Sequence, residues 1–201
     1  MKKITFILLV IFMTCGMAKA QFTKIGGGLG YTTGYNFHEM EWDYNKSGHF
    51  NFFGKSIIEV NLPFHLAPSI TYFIPHVRKE STQFDESKIT VSTLMVDING
   101  HYVFNSLDRF EFYGLAGLDI LLAWKKDVFT PQSGSEQVTK EKDNALGLNL
   151  GVGTYMKISE SLDLNIEAKY LVSKYNQFML NAGILINLQY LNKKEREKGG
   201  I

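Results

Sequence analysis

The chain has 201 residues, of which 45% are hydrophobic and 13% aromatic, and its formal net charge is +1. A nearly neutral chain lacks the strong attraction for phosphate that nucleic-acid binding depends on, so we expect no nucleic-acid partner. The single cysteine, Cys15, lies close to the N-terminus. A mature protein that begins after it has neither a disulfide nor thiol chemistry.

The N-terminal segment has the three parts of a secretory signal peptide. Lys2 and Lys3 precede the apolar run Ile4 to Met13, and the small-x-small site Ala18-Lys19-Ala20 follows it. The run is about half the length of ~20 apolar residues that a membrane-spanning helix needs. A lipoprotein signal ending at the cysteine is the alternative, although the residues before it match that motif poorly. We therefore expect export through a cleaved signal peptide.

These boundaries divide the chain into three parts. Residues 1–20 form the signal peptide, residues 21–191 form one domain, and residues 192–201 (NKKEREKGGI) form a charged tail that we expect to be disordered. Cleavage removes three lysines and no carboxylate, which leaves the mature chain slightly acidic.

Eight segments alternate between apolar and small or polar residues with a period of two. Such alternation predicts β-strands whose two faces differ. In the first segment, for example, Ile25, Leu29 and Tyr31 alternate with Lys24 and several glycines. The predicted strands, in chain order, are Thr23–Phe37, Phe52–Leu62, Ser69–Val77, Ile89–Phe104, Phe110–Trp124, Ala145–Ile158, Leu162–Val172 and Phe178–Tyr190.

Alternation alone leaves the orientation of the two faces open. In the sixth strand, Leu148 and Leu150 share one face while Gly147 and Asn149 share the other. A soluble periplasmic β-barrel would bury the apolar face, whereas a membrane barrel turns it to lipid and lines its lumen with the other. Several segments reach the 9–11 residues that a tilted membrane-crossing strand needs. We therefore expect an all-β protein, a closed antiparallel eight-stranded transmembrane up-and-down β-barrel.

The connections between the predicted strands alternate in length, as in membrane barrels with periplasmic turns and extracellular loops. Short turns are predicted at Phe64–Pro68, Asn105–Arg109 and Ser159–Ser161. Longer polar loops are predicted at His38–Asn51, Arg78–Lys88 and Lys125–Asn144, and the last connection, Ser173–Gln177, is compact.

Four stretches carry a resemblance to a known family: KIGGGLGY, YGLAGLDILL, ALGLNLGVGTYMKISESLDLNIEAKYLVS and LNAGILINLQY. They resemble the small outer-membrane β-barrel proteins of the porin family, PorT-like, of Bacteroidota-type bacteria. The resemblance implies an outer-membrane location and no enzymatic role. The last strand, with Asn181, Gly183, Ile186 and Leu188, also resembles the signal read by the barrel-assembly machinery, which is the partner we expect during insertion into outer-membrane lipid.

An eight-stranded barrel is filled by its own side chains, so charges inside it must pair or form hydrogen bonds. This predicts a plugged lumen and a structural or interaction role through extracellular loops, with an extracellular ligand possible and a monomer expected. A narrow passive channel is the alternative. The predicted polar network of the lumen comprises Lys55, Glu59, Asp97, His101, Glu111, Asp119, Lys157, Glu167 and Lys169.

Metal and catalytic sites receive weaker support from the sequence. Asp97, Asn99 and His101 share one strand face and could hold a metal, but a hydrogen-bonded network explains them as well. Ser47 and His49 invite comparison with barrel enzymes that modify lipid A, and His49 with His38 invites a surface cation site. No catalytic motif is present, so we expect no enzyme activity, cofactor or metal.

Overall fold

The computed structural model describes residues 21–33, 49–61, 63–81, 85–131, 134–188 and 190. The predicted signal peptide, the tail and most of the first loop lie outside the described residues. No helix within these ranges is both long and apolar enough to span a membrane. The strands are β1 (Gln21–Thr32), β2 (His49–Asn61), β3 (Phe64–Ser81), β4 (Asp85–Leu107), β5 (Phe110–Pro131), β6 (Gln137–Ser159), β7 (Leu162–Val172) and β8 (Gln177–Asn187).

The eight strands form one closed ring in chain order, and every neighbouring pair is antiparallel, including β1 with β8. The predicted fold is therefore confirmed. Closure gives each strand a partner on both sides, so the ring has no free edge along the length that all eight strands share.

The apolar face of the strands is the outer surface of the ring. Leu148 is 54% exposed and Ile166 is 48% exposed, whereas the alternating residues Asn149 and Glu167 are each 1% exposed. This is the orientation of a barrel surrounded by lipid. It is the reverse of the arrangement that a soluble barrel requires.

Among the described residues, four adjacent strands, β3 to β6, are much longer than the others and extend beyond one end of the ring. Their described pairing with β2 and β7 stops at Phe73 and Leu148, while pairing among themselves continues. We call the protruding part, residues 76–81, 85–92, 124–131 and 137–142, the extension. The end that carries it is the hairpin end, and the opposite end, with connections at 62–63, 108–109 and 160–161, is the turn end.

Two of the predicted loops are wrong, because most of their residues belong to the strands of the extension. Arg78–Lys88 and Lys125–Asn144 are mostly paired strand, for example Arg78 with Ile89 and Lys126 with Lys140. These segments lack a continuous apolar face because they lie above the lipid-facing band, where water solvates both faces and backbone pairing needs no apolar alternation.

The turn end also differs from the prediction. Phe64–Pro68 is the start of β3 and not a turn, and Asn105 to Leu107 belong to β4. Proline suggested a turn because it has no N–H to donate. Pro68 is tolerated within β3 because its register partner is Ile98 of β4, while the ladder between β3 and β2 is interrupted beside it.

Glycines of β1 let the last strand approach closely where the ring closes. A Cβ at Gly28 would overlap the carbonyl oxygen of Ala182 and the Cα of Gly183 on β8. The lumen-facing glycines of β1 therefore allow tight curvature at this seam and leave no gap.

We expect Gly28→Val to lower the free energy of unfolding by about 3 kcal/mol, because the new side chain overlaps backbone atoms that cannot rotate away. Gly114→Val is the matched control, since a Cβ at Gly114 meets nothing within 4 Å. Refolding into detergent, followed by electrophoresis with and without heating, measures the folded fraction. Equal folding of the two variants would contradict the close approach at the seam.

Candidate functional site

Two ion pairs cross the interior of the barrel. Lys55 of β2 donates to Glu167 of β7 at 2.5 Å, and Lys169 of β7 donates to Asp97 of β4 at 2.9 Å. All four side chains are at most 1% exposed. Neither pair joins neighbouring strands of the ring. Glu167 and Lys169 are two residues apart and therefore lie on one face of β7. This strand thus supplies one charged partner to β2 and another to β4.

Tyrosine and histidine rings pack beside the first ion pair, on the side of the turn end. The Tyr113 hydroxyl donates to Glu167 at 3.0 Å and accepts from the Asn165 amide at 2.8 Å. The His101 ring stacks on Tyr113 with centroids 4.2 Å apart. The Tyr155 hydroxyl lies 2.6 Å from Nδ1 of His101. These contacts fix the orientation of the Glu167 carboxylate.

The second ion pair is fixed by a chain of polar side chains. Asp97 accepts hydrogen bonds from Ser69 at 2.8 Å and from the Asn99 amide at 2.6 Å, in addition to its bond from Lys169. The Asn149 amide donates to Asn99 at 3.0 Å. With three donors, this carboxylate is well compensated for its loss of water.

Asp119 belongs to the same interior layer but does not join an ion pair. It lies opposite Asp97 in the register of β4 and β5 and is 1% exposed. Its carboxylate lies over Gly147, where a Cβ would be 2.5 Å from Oδ2. Neither of its oxygens has a hydrogen-bond partner among the described residues.

A polar cavity of about 440 Å³ opens at the turn end. Lys24 crosses its floor, with Nζ 2.8 Å from Asp163 and 3.9 Å from Glu111. Glu59 lines the same cavity and is half-buried. Acids and bases are mixed in its lining, so the cavity shows no preference for one sign of charge.

The nine residues of the predicted network thus separate into groups. The structure brings Lys55, Asp97, His101, Glu167 and Lys169 together; Glu59 and Glu111 line the turn-end cavity, and Asp119 stays unpaired. Lys157 also lines this cavity, at the rim of the lumen. Its side chain is 45% exposed and pairs with Glu160 of the adjacent turn at 2.9 Å, so it does not join the buried network.

Apolar side chains pack inside the lumen above and below the ion pairs, so the interior is only partly polar. Met95 and Leu171 lie two residues from Asp97 and Lys169, toward the hairpin end, and pack with Phe73 and Met179. A further cluster lies above them and comprises Ile89, Val91, Leu121, Ala123, Ala145 and Tyr175. A third lies toward the turn end and comprises Ile57, Ala67, Tyr113, Leu115, Tyr155 and Leu185.

The side chains of the hypothetical metal site, Asp97, Asn99 and His101, do not converge on one point where an ion could bind. Asp97 bonds to Ser69, Asn99 and Lys169, while His101 contacts Tyr113 and Tyr155. Within the described ranges, no three His, Cys, Asp or Glu residues are placed to hold a metal ion.

Of the three residues on which the cation-site and enzyme hypotheses for the first loop rest, the structure describes only His49. His38 and Ser47 lie outside the described residues, while His49 begins β2 with its ring 5.1 Å from that of His76. Neither the proposed cation site of this loop nor its enzymatic comparison is tested by these contacts.

Sequence reasoning predicted His101 in the lumen but missed the two tyrosine rings that pack with it beside Glu167. Tyr155 shares the inward face of β6 with Gly153 and Lys157, so its position in the alternation places it in the lumen. A Cβ at Gly153 would overlap the Tyr113 ring, so this glycine makes the room that the ring occupies. A large aromatic residue and a glycine that both face inward on neighbouring strands form the sequence pattern that could have predicted this packing.

The same acid-to-amide change at two buried positions should have different effects on stability. Glu167→Gln leaves Lys55 buried without a counter-ion and should lower the free energy of unfolding by about 3–5 kcal/mol. Asp119→Asn removes an unpaired carboxylate opposite Asp97 and should leave stability unchanged or raise it. Guanidinium unfolding in detergent, followed by tryptophan fluorescence, measures both. A smaller loss for Glu167→Gln than for Asp119→Asn would contradict these assignments.

Comparisons with known proteins agree with this architecture. The N-terminal β-barrel domain of OprF from Pseudomonas aeruginosa matches with a TM-score of 0.52 and 13% identity, covering 85% of this chain and 100% of that chain. A major outer membrane protein from Thermus thermophilus matches with a TM-score of 0.52 and 11% identity, covering 82% and 99%. Ail, the attachment invasion locus protein of Yersinia pestis, matches with a TM-score of 0.50 and 13% identity, covering 83% and 99%.

At these identities the three structures establish the fold alone. A comparison with curated protein sequences gave no match. A family model described as the outer membrane protein beta-barrel domain matches residues 5–190. The match spans all eight strands, and the apolar outer wall of the ring is the surface that such a protein turns to lipid. The chain belongs to the outer membrane protein β-barrel family.

Proposed function

We propose that this outer-membrane barrel is a surface interaction protein of the PorT-like, Bacteroidota type, which presents its extension to an extracellular partner. The observation that carries the proposal is an interior filled with packed side chains, combined with a tall extension. Two ion pairs and three apolar clusters occupy the lumen. The material beyond the bilayer is therefore the part of the molecule that is free to act, and we assign it no catalytic role.

The orientation of the barrel follows from its two ends. Connections of about two residues are typical of the periplasmic side of outer-membrane barrels, and longer hairpins are typical of the outside. We place the turn end in the periplasm and the extension outside the cell. The signal peptide and the resemblance of β8 to the signal for the barrel-assembly machinery support this route of export and insertion.

The extension offers backbone groups as well as side chains to a partner. Residues 137–147 of β6 pair with β5 on one side and with none of the described strands on the other. An unpaired strand edge presents a row of N–H and C=O groups that an extended peptide can bind.

A narrow channel is the competing function. It requires a continuous path for ions through the lumen, which an interaction protein does not. Ions would have to pass the apolar cluster of Phe73, Met95, Leu171 and Met179, which contains no charged group. A dry apolar constriction is a barrier to ions.

We expect purified protein in planar bilayers to show negligible conductance, because the apolar clusters interrupt any water path. Discrete currents that change in Glu59→Ala or Asp119→Ala would instead establish a channel. In cells, replacing residues 78–88 and 126–141 with short turns should preserve the barrel and reproduce the phenotype of the deletion strain. Full function of the shortened barrel would overturn the proposal.

A further inference from the structure

The outward face of the extension is basic. Alternation continues without a register shift from the lipid-facing residues of β5 through Trp124, and pairing places the neighbouring strands on the same face. The exposed lysines on this face are Lys79, Lys88, Lys126, Lys140 and Lys142. Among the described side chains, Glu86 is the one carboxylate that shares it.

The inward face of the extension has the opposite character, and its charges are neutralised locally. Lys125 lies 3.7 Å from Glu141, and the Ser87 hydroxyl donates to Asp127 at 3.3 Å. Directly below, Lys174 pairs with Asp143 at 2.6 Å. The sheet therefore separates charge, with acids and their partners inside and lysines outside.

The outward lysines face one another in the register of the sheet. Lys126 lies directly opposite Lys140, and Lys79 lies directly opposite Lys88. Side chains in such positions have Cβ atoms about 5 Å apart, and like charges there are destabilising. Within the described part of the chain, none of these four lysines forms an ion pair. An anion bound between the strands would relieve the repulsion.

The height of this face identifies the anion. Lys142 lies opposite Trp124, at the upper limit of the lipid-facing apolar band, where outer-membrane barrels carry aromatic residues. Lys126 and Lys140 are two residues farther along their strands, a rise of about 7 Å. The polar layer of one leaflet is about 5–8 Å thick. These three lysines therefore lie at the level of the lipid headgroups.

We propose that the outward face of the extension binds the phosphorylated headgroups of outer-leaflet lipid through Lys126, Lys140 and Lys142. This inference goes beyond the proposed interaction function and rests on it only for the placement of the extension outside the cell. The phosphates neutralise the facing lysines and hold the extension against the membrane surface, while the inward face and the edge of β6 stay accessible.

The test uses the full mature protein in detergent micelles, with bisphosphorylated lipid A as the probe. We expect Lys126→Gln/Lys140→Gln to weaken binding by about fivefold per lysine removed, measured by titration with fluorescent lipid or by native mass spectrometry. Arg109→Gln/Lys157→Gln, which removes the same charge at the turn end, should leave binding unchanged. Lys126→Arg/Lys140→Arg should retain it. Monophosphorylated lipid A should bind more weakly than the bisphosphorylated form.

Stability provides a second measurement. In detergent without anionic lipid, the Lys126→Gln/Lys140→Gln variant should unfold at an equal or higher guanidinium concentration than the native protein, because a repulsion has been removed. Equal loss of lipid binding in the turn-end control, no loss in either variant, or tighter binding of soluble polyphosphate than of lipid A would each overturn the proposal.

Discussion

The pairing of charges across a lumen that excludes bulk water is the constraint on which the rest of the barrel depends. An ion inside the ring has no solvent to replace a missing partner, so a lone buried charge costs several kcal/mol. Lys55 and Lys169 each reach across the ring to a carboxylate, and β7 contributes to both pairs. The walls they join are distant in sequence, which couples the position of β7 to those of β2 and β4.

The apolar clusters depend on the same constraint. A ring wide enough to admit water would solvate the ion pairs and leave Met95 and Leu171 in contact with water. Eight strands give an interior that side chains fill. Polar and apolar layers can then alternate along the barrel axis, because the side chains of a single layer fill the cross-section of the ring. The outcome is a lumen that resembles the core of a soluble protein, with its most deeply buried charges in one layer and further charges at the cavity of the turn end.

The sequence predicted the fold well where lipid imposes a pattern. Leu148 and Asn149 could be assigned to opposite faces because lipid on one side and a packed lumen on the other demand different residues at every step. Above the bilayer that demand disappears, so the paired strands around Lys88 and Lys140 resembled loops. Pro68 was misleading for a different reason, since a proline within a strand depends on a local interruption of pairing that only the register reveals.

The sequence predicted which side chains of the candidate site face the lumen, but not how far along the barrel axis each one lies. Lys55 and Lys157 have the same inward parity, yet one lies in the middle of the lumen and the other at its rim. Parity also says nothing about which opposite wall a side chain meets. The pairing of Lys55 with Glu167, and the unpaired state of Asp119, follow from the shear and curvature of the ring, which a single sequence does not specify.

Two neighbouring elements of the ring end at very different heights. The described part of β6 begins at Gln137, whereas its pairing with β7 begins only at Leu148, next to the compact connection between β7 and β8. A neighbouring membrane protein that packs beside β7 and β8 therefore meets a low rim, while one beside β4 and β5 meets a tall wall. Crowding in the membrane would thus favour some relative orientations of adjacent barrels over others without any dedicated contact.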